Sequence, residues 1–185
     1  MRVALCLALM IFPQSPSSPT RFPDLEPMLQ KDEALQRLLI VYWPPAQKGW
    51  QQVFFVRGDG TVVKQATPDR PMSVTDIPTC KEQIGLEKVK ALVRLIIQKH
   101  FFELPERQFI FMYVAQMNEE LEMHTIGISD GQTKTHRSFG IGKFAGKDEV
   151  IPQEFAAIEE ELKQIRDSAF PPHGKDCHFA PPIKF

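Results

Sequence analysis

The sequence predicts an α+β fold in which an antiparallel sheet of about six strands is covered on one face by two helices, in the order β-β-β-α-β-β-β-α. Short runs rich in β-branched and aromatic residues alternate with glycine-containing turns, as strands and hairpins do. Two longer segments place apolar residues at helical spacing along one side only. Strands joined by short turns favour antiparallel neighbours, and two one-sided helices can cover the sheet they form.

The composition is that of a globular protein with one folded domain. The chain has 185 residues, of which 43% are hydrophobic and 24% are charged, so it is long enough to bury a core. Its 22 Lys and Arg residues are balanced by 23 acidic residues, which excludes a global basic field for nucleic acid. No run reaches the roughly 18 apolar residues that a membrane span needs, so we expect no integral membrane segment.

Residues 1–17 have the features of a signal peptide. Arg2 supplies a positive start, and Val3–Phe12 is an apolar run of suitable length that is too short to span a bilayer. Ser15 and Ser17 give a small-x-small pattern, so cleavage is expected after Ser17. The alternative is a buried N-terminal strand. Export would make the protein secreted or periplasmic.

Residues 18–35 are predicted to be an extended lead-in because they are rich in proline. The folded domain is expected to span residues 36–170. Its first half contains three predicted strands: Leu38–Trp43, Trp50–Arg57 and Thr61–Gln65. The last two flank Gly58-Asp59-Gly60, a strong hairpin signal. An irregular stretch, Ala66–Gln83, is expected next because it contains three prolines.

The second half of the domain repeats this order. Gly85–Pro105 carries a helical apolar stripe that Pro105 is expected to end. Three further strands are predicted: Gln108–Ala115, Leu121–Ser129 and Thr133–Phe139. Glycines 140, 142 and 146 indicate a loop, and a second helix begins at Pro152 with its own apolar stripe. Residues 171–185 have no periodicity and are predicted to be an irregular tail.

Four segments together resemble short exported bacterial α+β domains of unknown function. They read VFFVRGDGTVV, LEKVKALVRLI followed by FFELP, SDGQTK, and EFAAIEEELKQI. The resemblance covers about Gln51–Phe170, and it implies an α+β fold and an exported location. It implies no activity, because the shared pattern contains no catalytic motif. The domains it resembles often begin with a Cys-containing strand, which this chain lacks at that place.

Two cysteines remain once residues 1–17 are removed, namely Cys80 and Cys177. In an oxidising compartment such a pair predicts a disulfide, which would join the segment before the first long helix to the C-terminal tail. The alternative is two separate thiols. His173, Cys177 and His178 form a weak candidate metal site, but no established zinc spacing accompanies them. We therefore predict no metal and no cofactor.

No catalytic set is predicted. His124, Ser129, Asp130 and His136 surround one predicted hairpin. On one strand, however, His124 and Ser129 would lie about 16 Å apart and on opposite faces, beyond hydrogen-bond reach. His136 is expected opposite His124 as a cross-strand neighbour.

The sequence therefore favours an exported, non-enzymatic binding or interaction module of the bacterial cell envelope, whose partner is another exported or envelope protein. The proposed contact surface is the open sheet face, with Phe109, Phe111 and Tyr113 as candidate binding residues. The alternative is that the N-terminal segment Pro23–Leu39 covers this apolar strand. The alternative is an inhibitor of an exported hydrolase, which would insert the loops that carry Asp59 and Lys143. A small hydrolase is a third class, and it would use His124 or His136.

Overall fold

A computed structural model describes residues 22–45, 50–68, 77–105, 122–144, 147–171 and 177–183. These residues contain one antiparallel sheet with the strand order β7-β6-β5-β1-β2-β3-β4-β8. The strands are β1 Leu39–Trp43, β2 Trp50–Arg57, β3 Thr61–Pro68, β4 Ile77–Gln83, β5 Glu122–Ser129, β6 Lys134–Phe144, β7 Lys147–Glu149 and β8 His178–Ala180. Six longer strands form the body of the sheet, and β7 and β8 add three residues each at its edges.

Strand β1 lies between the two halves of the sheet. Ile40 faces Val56 of β2 on one side and Ile128 of β5 on the other, in antiparallel register on both sides. The strands β2, β3 and β4 then follow as neighbours on one side, and β6 follows β5 on the other. The central strand therefore joins two meanders of the type that the turn signals predict.

Within the described residues, four α-helices accompany the sheet: α1 Glu26–Gln30, α2 Asp32–Leu35, α3 Leu86–Gln98 and α4 Gln153–Ala169. The apolar stripes of α3 and α4 pack into one buried cluster with the sheet. Its members include Val89, Leu92, Ile96, Phe155, Ile158 and Leu162 from the helices and Ile40, Phe54, Val56, Ile126 and Ile128 from the strands. The prediction of a two-layer α+β fold with two long helices on one face is confirmed.

Helix α3 ends earlier than its apolar stripe predicts. The helix ends at Gln98, seven residues before Pro105, and His100 then adopts a left-handed conformation with φ of 51°. Phe101 then turns back into the core within a single 3-10 turn, Phe101–Glu103. The buried guanidinium of Arg137 donates hydrogen bonds of 2.8 Å to the carbonyl oxygens of Phe102 and Leu104. The end of this segment is therefore held by a side chain from β6.

The second face of the sheet carries a smaller apolar cluster. Val41, Val53, Phe55 and Val63 are each at most 5% exposed, and Leu39, Trp43 and Ile183 pack against them. These residues alternate along β1, β2 and β3 with those of the main core, as the period of two requires. The apolar side chains in the middle of this face are therefore shielded from solvent.

Three predicted irregular regions contain strands instead. Strand β4 lies inside the predicted irregular stretch Ala66–Gln83, because pairing with β3 outweighs the local effect of Pro78. Strand β6 runs through Gly140 and Gly142 to Phe144 in register with β5 and then β7. Strand β8 lies in the tail, where pairing with β4 orders three residues. In each case pairing with a neighbouring strand stabilises a strand that the local sequence does not predict.

The predicted extended lead-in contains α1 and α2. Pro27 sits in the first turn of α1, where its missing N–H is tolerated. Leu25, Met28 and Leu35 are buried in the main core, which gives these short helices the packing that their own length cannot provide. The predicted signal peptide and the predicted strand Gln108–Ala115 lie outside the described residues. In the described part of the chain, no helix is both long and apolar enough to cross a membrane.

Candidate functional site

A buried carboxylate joins α4 to the sheet. Glu159 is 3% exposed, and its Oε1 accepts three hydrogen bonds. The Tyr42 hydroxyl donates at 2.6 Å, His124 Nδ1 lies at 2.7 Å, and Lys163 Nζ lies at 2.7 Å. Tyr42 pairs with Ile126 across β1 and β5, so His124 is two residues along the same sheet face. Lys163 follows Glu159 by one helical turn.

Burial alone would raise the pKa of Glu159, but the hydrogen bonds from His124, Lys163 and Tyr42 outweigh it and lower that pKa to about 2. Burial, and then the hydrogen bond to the Glu159 carboxylate, raise the pKa of the Tyr42 phenol. At neutral pH Glu159 is therefore ionised and Tyr42 is neutral. Because the carboxylate carries no proton, Nδ1 of His124 is the donor in their hydrogen bond.

His124 has a second ring nitrogen that could take part in chemistry. Nε2 is buried and has no hydrogen-bond partner among the described residues. A histidine oriented through Nδ1 by a carboxylate, with Nε2 available, resembles the orientation of a general base. Ser129 lies five residues further along β5 and on the other face of the sheet, so its hydroxyl is out of hydrogen-bond reach of His124 Nε2. In the structure, the bonds of Glu159 to Tyr42 and His124 hold α4 against β1 and β5.

The predicted cross-strand pair of His124 and His136 is wrong. His124 lies opposite Phe139, and His136 lies opposite Gly127. The turn places Ser129 opposite Lys134, so the register differs by three residues from the one that the prediction needs. The two imidazoles therefore lie on opposite faces of the sheet, with His124 buried and His136 exposed. Asp130 instead stabilises the turn, accepting hydrogen bonds from the backbone of Gln132 and Thr133.

The predicted disulfide between Cys80 and Cys177 is confirmed. It joins β4 to the residue before β8, and it spans 97 positions of the chain. The Cys177 sulfur is therefore not available as a thiolate ligand, and this removes the strongest member of the weak metal candidate. His178 begins β8, while His173 lies outside the described residues. The described side chains include no group of three or more His, Cys, Asp or Glu arranged to hold a metal ion.

Residues 177–183, here called the tail segment, lie along the edge of the sheet. Strand β8 pairs antiparallel with β4, with Thr79 opposite His178 and Ile77 opposite Ala180. The tail segment thus supplies the outermost strand on that side. It also covers part of a sheet edge that would otherwise present unpaired backbone groups.

The side chain of Gln65 binds the backbone of the tail segment beyond β8. Its Nε2 donates to the carbonyl oxygen of Pro181 at 3.1 Å, and its Oε1 accepts from the N–H of Ile183 at 2.9 Å. Nε2 also donates to Thr79 Oγ1 at 3.0 Å. Gln65 is 1% exposed. Its buried side-chain amide therefore donates and accepts hydrogen bonds with the tail backbone, as a peptide group of a neighbouring strand would.

Ile183 continues this contact onto the second sheet face. Its side chain packs against the apolar cluster of Val41, Val53, Phe55 and Val63. Together, the β4 edge, Gln65, Thr79 and this cluster form what we call the tail-binding surface. It holds an extended backbone by hydrogen bonds and one aliphatic side chain by apolar packing.

A second candidate is a groove of about 320 Å³ between α1 and α3. It is lined by Glu26, Leu29, Gln30, Arg94, Ile97 and Gln98. Its volume lies at the lower end of the range for small-molecule sites. All four polar lining residues are exposed, so water already satisfies them and a ligand gains little from binding them. The tail-binding surface is the better-built site.

The other predicted binding residues do not converge. Asp59 accepts a hydrogen bond from the backbone N–H of Thr61 at 2.8 Å, which stabilises its own hairpin turn. Lys143 belongs to β6 and lies opposite Asp148 of β7, so the backbone there is a strand rather than a loop tip. Phe109, Phe111 and Tyr113 lie outside the described residues.

Sequence reasoning missed Glu159 and Gln65 as central residues. Glu159 follows Phe155 by four positions, so it lies on the apolar stripe of α4, and a carboxylate there is a signal of a buried partner. Gln65 shares a strand face with Val63, which makes it a polar interruption of an apolar row. Neither signal identifies the partner, because Tyr42 and Ile183 are more than a hundred residues away.

No protein-family model matches the chain, and no curated protein matches it.

Proposed function

We propose that this chain is an exported, non-enzymatic binding module of the bacterial cell envelope, and that it recognises an extended segment of another exported or envelope protein. One observation carries the proposal: the buried Gln65 amide donates to Pro181 and accepts from Ile183, as a neighbouring strand would. A buried side chain arranged in this way recognises an extended backbone. The tail segment is the example of such a backbone within the chain itself.

The β4 edge supports the same function. Addition of a strand to an exposed edge is a recurring mode of peptide recognition, in which backbone bonds give affinity and side-chain pockets give specificity. Here the backbone bonds come from β4 and Gln65. The specificity comes from the apolar cluster that receives Ile183.

Two features support export. The first is the signal-like composition of residues 1–17. The second is the Cys80–Cys177 disulfide, since such bonds persist in oxidising compartments and are rare in reducing ones. Secretion to the medium and retention in the periplasm both agree with these features.

The test uses the full chain with its own tail weakened by three substitutions, Cys80→Ser, Cys177→Ser and Ile183→Asp. A fluorescent peptide with the sequence of residues 178–185 is the probe, and binding is measured by anisotropy. We expect saturable binding that falls at least about tenfold when the peptide carries Asp in place of Ile183, since a charge cannot replace a partly buried aliphatic group that packs on an apolar cluster.

A matched pair of variants locates the binding. In the same background, Gln65→Met keeps the length of the side chain and removes both backbone bonds, whereas Gln52→Met changes an exposed glutamine of β2. Only Gln65→Met is expected to weaken the probe. Absence of saturable binding by a variant with a native circular dichroism spectrum would contradict the proposal.

A further inference from the structure

We infer that the tail segment is an intramolecular ligand of the tail-binding surface, kept there by the Cys80–Cys177 disulfide, and that reduction of this bond opens the surface to a partner's extended segment. The inference rests on the proposed function and adds its regulation and the form of its ligand. The oxidised chain is then the closed state.

The disulfide stands where it controls the tail segment most directly. Cys80 is a residue of β4, the strand to which β8 pairs, and Cys177 immediately precedes β8. Their Cα atoms are 4.4 Å apart. The bond therefore fixes the start of the tail segment beside its own binding edge, where a tethered ligand has a high effective concentration.

The noncovalent part of the contact is small by comparison with the rest of the sheet. β8 and β4 are matched over three residue pairs, whereas β2 and β3 are matched over seven. Gln65 adds two backbone bonds, and Ile183 adds one partly buried side chain. A partner segment that makes the same contacts can therefore compete with the tail segment once the covalent bond is broken.

The two cysteine residues differ in exposure. Cys177 is an exposed residue, while Cys80 is 7% exposed. An external dithiol therefore attacks the Cys177 sulfur, forming a mixed disulfide and releasing Cys80 as a thiolate. The second thiolate of the reductant then attacks its own sulfur in the mixed disulfide and releases Cys177. Two electrons pass from the dithiol, which becomes a disulfide, and the two cysteine thiolates each take up a proton.

The tail segment defines the chemistry of the partner. The partner supplies an extended segment with three residues that pair with β4, and a branched aliphatic residue five positions after the first of them, as Ile183 follows His178. Between them its backbone offers a carbonyl to Nε2 and an N–H to Oε1 of Gln65. The other residues of the partner segment are free to vary.

The test compares the unmodified chain in its oxidised and reduced states. With the labelled peptide of residues 178–185 as the probe, we expect reduction to strengthen binding at least about tenfold, because the open fraction of molecules limits the apparent affinity. The full-chain variant Cys80→Ser with Cys177→Ser should bind as the reduced chain does and should not respond to the reductant.

The possible results separate the two proposals. If the variant with Cys80→Ser, Cys177→Ser and Ile183→Asp binds the probe, but the oxidised and reduced chains bind it equally, the inference fails and the proposed function stands. If that variant is folded and does not bind, the proposed function fails. A reduced chain that forms dimers by exchanging tails would overturn the assignment of the surface to a different protein.

Amide hydrogen exchange gives a second readout that needs no ligand. Reduction should speed exchange of the β8 amides and of the Ile183 amide at least about tenfold. Without the disulfide, the tail segment that carries these amides separates more often from β4 and Gln65. The β1 and β5 amides, which lie on the far side of β2 and β3, should keep their protection. Unchanged protection of the tail segment after complete reduction would overturn the inference.

Discussion

The phenol of Tyr42 and the carboxylate of Glu159, which lie 117 positions apart, form a hydrogen bond of 2.6 Å inside the protein. It connects the central strand β1 to the middle of α4. Apolar contacts between a helix and a sheet have little directional preference, whereas a buried bond to a carboxylate has a defined geometry. This contact, together with the bond from His124, therefore sets how α4 lies along β1 and β5.

The ionised Glu159 should make the protein sensitive to acid. Its pKa is about 2 in the folded protein against an ordinary value of 4.5, so the carboxylate stabilises the fold above pH 4.5. That contribution, about 3 kcal/mol, is lost as the pH falls from 4.5 towards 2. Glu159→Gln removes it, so the free energy of unfolding should depend less on pH in this interval. Urea denaturation at a series of pH values measures the difference.

The neighbouring Glu160 is exposed and provides the control. Glu160→Gln should leave the free energy of unfolding within about 0.5 kcal/mol of the wild-type value, since exposed carboxylates contribute little. At pH 7, Glu159→Gln should lower it by roughly 2–3 kcal/mol, because Lys163 and His124 then face a neutral amide in place of the carboxylate. Equal acid profiles of the two variants would contradict the role given to Glu159.

Tyr42 should resist ionisation in the folded protein. Burial and the nearby carboxylate raise the pKa of its phenol above the ordinary value of 10.0. Above pH 10 the unfolded chain ionises this group while the folded protein does not, so the free energy of unfolding should fall as the pH rises. The chain has 2 tyrosines, so the difference in tyrosinate absorbance between wild type and Tyr42→Phe isolates this residue. Reversible ionisation of Tyr42 near pH 10 without unfolding would contradict the prediction.

The sequence predicts the parts of this fold that local patterns determine. The stripes of α3 and α4, the hairpin at Gly58–Gly60 and the turn at Asp130-Gly131 all form, although α3 ends early and the register at the second turn differs by three residues. Each of these signals is contained within about twenty residues, so neither distant packing nor a partner strand is needed to read it. The predicted signal peptide contains Cys6, and the prediction of the Cys80–Cys177 bond follows from pairing the other two cysteines of the sequence.

The site could not be predicted because its contacts join distant segments. β4 pairs with β3 and β8, although its own sequence contains Pro78, and β8 pairs with β4 but has only three residues, too few for a pattern. Gln65 and Ile183 are 118 positions apart, and nothing in the composition of either segment identifies the other. A polar residue on an apolar row indicates that some buried partner exists, but only the register of β3, β4 and β8 identifies it.

Loss of the disulfide should lower stability substantially. The bond closes a loop of about 97 residues, and the chain-entropy model gives up to about 4–5 kcal/mol for a loop of this length. Cys80→Ser with Cys177→Ser should therefore lower the melting temperature and the urea midpoint. Addition of a reductant should lower them in wild type to the values of this variant and leave the variant unchanged. Equal midpoints of oxidised and reduced wild type would show that the bond does not stabilise the folded state.

Gly58 and Gly85 provide a matched pair of glycines at which an added methyl group has opposite surroundings. Gly58 immediately follows β2, and its N–H donates a hydrogen bond of 2.9 Å to the carbonyl oxygen of Leu38. A Cβ at this position would overlap the carbonyl group of Leu35. Gly85 precedes α3 with φ of −68°, and a Cβ there meets no heavy atom within 4 Å.

Gly58→Ala should therefore lower the free energy of unfolding by roughly 2–4 kcal/mol, because the hairpin tip must move away from α2. Gly85→Ala should change it by less than about 0.5 kcal/mol, since its backbone conformation suits any residue. Chemical denaturation of both variants at pH 7 measures these values. Hydrogen exchange of the amide at position 58 should also be faster in Gly58→Ala and unchanged in Gly85→Ala. That amide donates to the carbonyl oxygen of Leu38 only while the hairpin tip packs against α2. Similar stabilities for the two variants would mean that the β2–β3 turn does not pack against Leu35, and that α2 is held by its apolar side chains alone.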